Sequence, residues 1–348
     1  LEKDYSGQIR VDEMPSDSLR DRNRWGLWAK HDQKLDPKPF GLDSLTTSFN
    51  INRVSDDDYW RDFSHTPTLT SRQLTNEADL NWTKGDWSGQ ARTLSYQTLQ
   101  YAASPITPSY NRVPQVTANY NKYDWHGLDV SGTLDYTRFQ VDSAYAPTLN
   151  GIKQPDGERV VGNLQISRPW VAPGGFFIPK LLLHTASYQL ASPLADGRTS
   201  ITSVVPTVSL DSGLVFERDT SLFGSAWRQT LEPRAFYVHT PYRDQSQLPV
   251  YDTAANDVSF ATLYTENAFS GNDRVSDTNT LTTGVTTRLI DPVTGAESAR
   301  FGIAQRFRFS DQNVTLPGGT AVTDRSGDFI LGGQVHWNPK WSIDGLAQ

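Results

Sequence analysis

The chain has 348 residues, with 32 Lys and Arg against 39 Asp and Glu and a formal charge of -7, a balance that excludes nucleic-acid binding through bulk charge. It has no cysteine, which excludes disulfides and thiolate metal sites within it. No apolar run approaches the length of a transmembrane helix; Gly175-Phe176-Phe177-Ile178 and Leu181-Leu182-Leu183 stop after a few residues.

Strand-like segments follow one another from the first residues onward. They fall near 6–13, 22–32, 44–54, 68–83, 87–100, 114–123, 126–139 and 158–168. The series continues at 177–190, 201–216, 227–239, 278–290, 296–309, 328–337 and 341–347, about fifteen strands in all. Short turns at Gly85-Asp86, Asp124-Trp125, 291–295 and Asn338-Pro339-Lys340 alternate with long polar loops near 101–112, 140–157, 240–277 and 310–327. An antiparallel up-and-down sheet in an outer membrane sorts its connections this way. The 240–277 loop is longer than a structureless connection normally is, and its 257–269 stretch has a weak helical pattern.

Period-two alternation carries the fold class. Leu128, Val130, Leu134 and Tyr136 share one face, with Asp129, Ser131, Thr133 and Asp135 on the other. Phe301, Ile303, Phe307 and Phe309 oppose Arg300, Arg306 and Arg308. Leu45, Phe49 and Ile51 oppose Thr46, Ser48, Asn50 and Asn52. A soluble sandwich shows the same alternation with its apolar face turned inward. The long segments, the sorted loops and the charge on the polar face favour an apolar exterior around a hydrated lumen. Trp82, Trp87, Trp125, Tyr136, Trp227, Tyr237, Trp337 and Trp341 fall near segment ends, where aromatic girdles lie. The expectation is therefore all-β, an antiparallel up-and-down transmembrane β-barrel. Residues 1–348 form one barrel segment, and the odd strand count marks an incomplete part of a larger barrel. Asp129, Asp135, Arg300, Arg306 and Arg308 are candidate lumen contacts, a placement that ordinary wall polarity explains equally well.

The chain offers little chemistry. It has no nucleophile elbow, phosphate loop, His-Glu-x-x-His motif or metal-ligand spacing. His31, His65, His126, His184, His239 and His336 are scattered, and Asp56-Asp57-Asp58 reads as a charged loop before it reads as a calcium site. No catalytic residue, metal or cofactor is expected. Within 227–239, Pro233 fits only an edge or a local distortion.

The densest run is Leu231-Glu232-Pro233-Arg234-Ala235-Phe236-Tyr237, Pro241-Tyr242-Arg243-Asp244-Gln245-Ser246 and Pro249-Val250-Tyr251-Asp252. It continues through Glu266-Asn267, Phe269-Ser270-Gly271-Asn272-Asp273-Arg274 and Asp277-Thr278-Asn279 into the strand from Leu281 to Arg288. This run resembles the signature of the LptD (Imp/OstA) family, outer-membrane lipopolysaccharide-assembly proteins. Asn50 to Tyr59 with Arg61-Asp62-Phe63, Met14-Pro15-Ser16-Asp17, and Phe216-Glu217-Arg218-Asp219 are similar to further family motifs.

The resemblance implies a setting in the outer membrane of a Gram-negative bacterium and a barrel of about 26 strands. It implies a periplasmic jellyroll fed by the bridge protein LptA, and the lipoprotein LptE as a lumen plug. Lipopolysaccharide would leave through a lateral opening into outer-membrane lipid. Neither the jellyroll nor the family's closing strands are expected within this chain, so no gate residue carries over. Tyr242, Arg243, Asp244, Gln245, Asp273 and Arg274 become candidate loop or plug contacts, and Glu232, Pro233 and Arg234 structural motif residues. A non-enzymatic translocon segment is the leading reading, with no nucleic-acid partner. A general diffusion porin would instead conduct ions from a complete barrel. An outer-membrane hydrolase would need a spatial cluster of Ser or Asp with His.

Overall fold

The computed structural model describes residues 4–63, 72–142, 144, 148–149, 152–153, 155–194, 196–222, 224–338 and 340–348. His65, Pro339, the side chain of Trp337 and the start of the expected 68–83 strand lie outside the described residues. The chain is all-β. Among the described residues every register is antiparallel.

The segments expected from alternation are present with ends moved by a few residues. They are β1 (Tyr5–Asp17), β2 (Arg22–Lys34), β3 (Ser44–Val54), β4 (Gln73–Lys84), β5 (Trp87–Thr98), β6 (Asn111–Trp125), β7 (Leu128–Gln140) and β10 (Gly157–Ser167). The later ones are β12 (Gly175–Leu190), β13 (Ser200–Leu214), β15 (Ser225–Thr240), β16 (Thr278–Ile290), β17 (Glu297–Arg308), β18 (Ser326–Asn338) and β19 (Trp341–Ala347). Four short strands add to them: the pair β8 (Thr148–Leu149) and β9 (Ile152–Lys153), then β11 (Trp170–Ala172) and β14 (Phe216–Leu222). Three of these are too short to show a period.

The fourth, β14, exists because the ladder on β15 breaks opposite Pro233. Pairing of β13 with β15 runs to Gly213↔Arg234 and resumes with β14 at Phe216↔Leu231. Proline has no N–H to give to that neighbour. On its other side Pro233 stays in register with Val285.

The weak helical stretch at 257–269 is a single 3-10 turn, Thr262–Tyr264. Its own side chains compete with helical bonding. The Thr262 hydroxyl donates to the Asp257 carbonyl at 2.6 Å and accepts from the Ser259 N–H at 2.8 Å. A one-turn helix not foreseen in the sequence, α1 (Tyr59–Phe63), follows β3.

The residues group into two compact units. One comprises Leu1–Asn121, Ser131–Asn163 and Thr185–Thr202; in it β1 to β6 form a meander, each strand paired with the next. The other comprises Lys122–Val130, Leu164–His184 and Ser203–Gln348; in it β15 to β19 are likewise paired in sequence order.

Within each unit the burial pattern is inverted relative to a soluble sheet. In the first, Leu134 is 58% exposed and its neighbour Asp135 4%. In the second, Phe301 and Phe309 are 47% and 56% exposed while Arg308 is 8%. Val204 and Val208 are exposed on β13, and Thr207 and Ser209 are buried. Holding such apolar side chains in water would forfeit about 1.5–3 kcal/mol each relative to burial. Hydrocarbon removes that cost, and it demands the hydrogen-bonded backbone that these ladders supply.

Candidate functional site

In the second unit the connection from β15 to β16 is a folded strap, residues 241–277. Its base bonds to itself. The buried Gln245 amide donates to the Val275 carbonyl at 2.7 Å and accepts from the Val275 N–H at 2.9 Å. The Asp273 carboxylate accepts from the backbone N–H groups of Tyr251 and Asp252 at 2.7 and 2.9 Å. Arg274, 1% exposed, donates to the carbonyls of Leu248, Pro249 and Asp273 at 2.8, 3.2 and 2.9 Å. These side chains stand in for a strand partner, so a long loop keeps its peptide groups satisfied without secondary structure.

The tip of the strap, 257–266, lies on the polar face of β16 to β18. Leu263 packs with Ala304 and Ile330, flanked by Val258, Phe260 and Tyr264. Arg306 donates to the Leu263 and Thr262 carbonyls at 2.8 and 3.1 Å, and the Thr282 hydroxyl to the Leu263 carbonyl at 3.1 Å. Tyr264 lies under the Arg234 guanidinium, 4.1 Å from its ring centroid, and burial pushes its phenol above the ordinary range. At the flank, Glu266 accepts from Lys180 at 2.8 Å and from Ser209 at 2.9 Å. Glycines make this approach possible. The Phe260 ring is 3.1 Å from where a Cβ on Gly302 would stand and 2.8 Å from one on Gly332, and these two glycines face each other in register.

A cavity of about 520 Å³ adjoins the tip, lined by Phe260, Tyr264, Arg234, Arg288, Arg300 and Gln334 among others. Its arginines are paired, and Asp344 adds a further carboxylate to the lining. Arg234 makes a bidentate contact with Asp211 at 2.9 and 2.6 Å. Arg288 meets Glu232 at 2.8 Å and Glu297 at 3.6 Å, and Arg300 meets Glu297 at 2.8 Å. Each arginine of this lining therefore has a carboxylate beside it, which offsets its charge locally.

Residues 22–348 match the family model LptD, LPS transport system D. The chain belongs to the LptD family. It is 54% identical over its whole length to the LPS-assembly protein LptD of Albidiferax ferrireducens, covering 44% of that protein. It is 49% identical to the one from Polaromonas sp. strain JS666, covering 100% of this chain and 42% of the relative. For Burkholderia thailandensis the figures are 41% identity, 96% of this chain and 41% of the relative. The chain thus spans less than half the length of these relatives. Among solved structures, CdiB from Acinetobacter baumannii aligns with a TM-score of 0.39 and 12% identity, over 99% of this chain and 56% of that one. LptD membership and the inverted sheet place the chain in the outer membrane of a Gram-negative bacterium.

The LptD motif residues separate by what they touch. Gln245, Asp273 and Arg274 build the strap's base, and Tyr242, Arg243 and Asp244 stand at its exposed edge. Glu232 accepts from Thr230 and Arg288, Arg234 holds Tyr264, and Pro233 breaks the ladder. Arg306 and Arg308 both pair with Asp328. Asp129 accepts from the Asp124 N–H at 2.9 Å in the β6–β7 turn. In the first unit Asp135 accepts from Gln115, Thr117 and Thr137 at 2.8, 2.7 and 2.6 Å.

Sequence reasoning overlooked the partners. Phe260, Leu263 and Asp328 went unremarked, although glycines at inward positions 284, 302 and 332 of alternating strands signal that something approaches the backbone. It also overlooked Arg24. That guanidinium, with its side chain 1% exposed, meets Asp17, Asp56 and Asp62 at 3.2, 2.9 and 2.8 Å and lies 4.5 Å from the Phe63 centroid. It clasps α1 to β2, and the Asp56-Asp57-Asp58 run is largely consumed by it: Asp56 also meets Arg22, and Asp58 meets Arg20 and Arg61.

Proposed function

We propose that this chain is part of the wall of the outer-membrane lipopolysaccharide translocon, and that it makes and breaks no covalent bond. The observation that carries the reading is the inverted wall with its paired polar face, joined to membership of a family whose relatives are called LPS-assembly proteins. Phosphorylated sugar would pass along the polar surface around Arg288, Arg300 and Gln334 while acyl chains remain in lipid. Residues 1–348 would be one segment of a larger barrel, with the 240–277 strap reaching over its inner surface. LptE as plug, and LptA acting through a jellyroll elsewhere in the parent protein, are the partners this reading calls for.

The porin reading predicts unobstructed conductance. A strap that fills space above the polar face of β16 to β18 favours the translocon. The test is site-specific photocrosslinking in the intact parent protein in cells, with probes replacing Arg300 and Tyr242 on the polar side and Phe301 and Leu134 on the apolar side. Lipopolysaccharide adducts at the first pair, with bulk lipid at the second, support the reading. Silent polar-side probes in a protein that conducts ions would transfer the assignment to a porin.

A further inference from the structure

We infer that residues 257–266 are a lid that lifts from the polar face of β16 to β18 while the rest of the 241–277 strap stays folded, and that Arg306 is its latch. The strap closes on itself below the lid. The Asn256 N–H donates to the Ala268 carbonyl and the Ser270 N–H to the Ala254 carbonyl, at 2.9 and 2.8 Å. Ala255 bridges to Phe269 at the same neck. With the Gln245, Asp273 and Arg274 bonds beneath, the base needs nothing from the tip.

The tip is different, for its holdfasts belong to the wall. They are Arg306 and Thr282 at the Leu263 carbonyl, Leu263 on Ala304 and Ile330, Phe260 on Gly302 and Gly332, and Tyr264 under Arg234. Lys180 at Glu266 and Gln348 at the Val258 carbonyl (2.7 Å) flank them. Segments whose contacts divide in this way open separately, each with its own local free energy.

Arg306 is the latch because of the charge count around it. Arg306 and Arg308 share one carboxylate, Asp328, so one guanidinium charge is left for the peptide carbonyls of the lid to solvate. Raising the lid exposes that cation and a glycine floor continuous with the 520 Å³ cavity, which widens the polar surface. Only this last consequence rests on the transport reading. The latch stands on the geometry.

The experiment uses the full-length parent protein with its native partners in outer membranes, carrying Ala304→Cys. Ala304 is 2% exposed beneath the lid, and a water-soluble maleimide reports its uncovering. Arg306→Gln leaves the Arg308–Asp328 pair intact and removes the latch, so labelling should become about tenfold faster or more, with Arg306→Lys in between. Gly332→Ala sets a methyl against the Phe260 ring and should also accelerate labelling without touching a charge. Hydrogen exchange on the same proteins should quicken at 257–266 and stay unchanged at 245–254 and 270–277. Labelling unmoved by Arg306→Gln would overturn the latch, labelling unmoved by Gly332→Ala as well would overturn the lid, and base amides that quicken with the tip would make the strap a single unit. Should Arg306→Gln fail to assemble, Gly332→Ala and exchange in the native protein decide the matter. Labelling needs no transport, so the lid can stand even where lipopolysaccharide crosslinks fail.

Discussion

The Arg24 clasp of the first unit and the strap tip of the second each fasten a non-strand segment to a strand surface, by different chemistry. At the clasp one buried guanidinium meets three carboxylates. At the tip Arg306 meets uncharged peptide carbonyls and aromatic rings rest on bare glycine, with one ion pair, Lys180–Glu266, at the flank. A fastening made of ion pairs is costly to break at one end, because the partners stay behind as buried charges. One made of carbonyl contacts and ring packing is a sum of smaller terms, each of which can be released.

Four predictions break or sharpen that contrast. The largest effect should come from Arg24→Ala, which strands Asp17 and Asp56 and should cost about 3 kcal/mol or more of local stability; proteolysis at 55–63 in the otherwise native protein measures it. Next, Asp273→Ala leaves the Tyr251 and Asp252 N–H groups without their acceptor inside the strap's base, at a cost of about 2 kcal/mol. Exchange at 245–277 should then rise across base and tip together, unlike the response to Arg306→Gln.

Smaller is the response to acid. Burial pushes the Asp56 carboxyl up, but hydrogen bonds from Ser55 and Arg24 and the charges of Arg24 and Arg22 hold it below the ordinary range. A carboxyl whose folded value is depressed adds stability that is complete above the unfolded value, about 3.9, and is lost as pH falls through the folded one. The clasp should therefore loosen only below about pH 4. A protease-sensitivity profile at 55–63 that is flat down to full protonation would contradict the ion-pair account. The smallest effect is expected at Asp291 in the β16–β17 turn. Its carboxylate accepts from the Thr294 and Val293 N–H groups at 3.0 and 2.8 Å. Asp291→Ala should fray that turn, seen as faster exchange at 291–296, and leave both fastenings alone.

The strands were legible because a two-residue period has only one geometric meaning. Leu134 beside Asp135, and Phe301 beside Arg300, declare two faces in any fold. Long strands, sorted loops and clustered arginine then tell which face meets lipid. The arginines themselves were legible only as polar. That Arg306 shares Asp328 with Arg308 depends on β17–β18 register, which shifts between Ala304 and Arg306 and has no local signal. The Arg24 cluster joins residues some forty positions apart through a one-turn helix too short for periodicity to reveal. The 257–269 stretch has only a weak helical pattern, and its apolar residues include Val258, Phe260 and Leu263. Ser259 and Thr262 redirect the backbone, and those apolar residues pack on the wall instead.

The inverted wall is tested most directly by spin labels placed one at a time along 299–304 and 133–136 of the parent protein in outer membranes, read for collision with oxygen and with a water-soluble nickel chelate. Strict alternation is expected: oxygen-accessible at Leu134, Phe301 and Ile303, and nickel-accessible or protected at Asp135, Arg300 and Gly302. Nickel access at Phe301 and Leu134, or no alternation at all, would contradict a lipid-facing exterior and with it the transport reading.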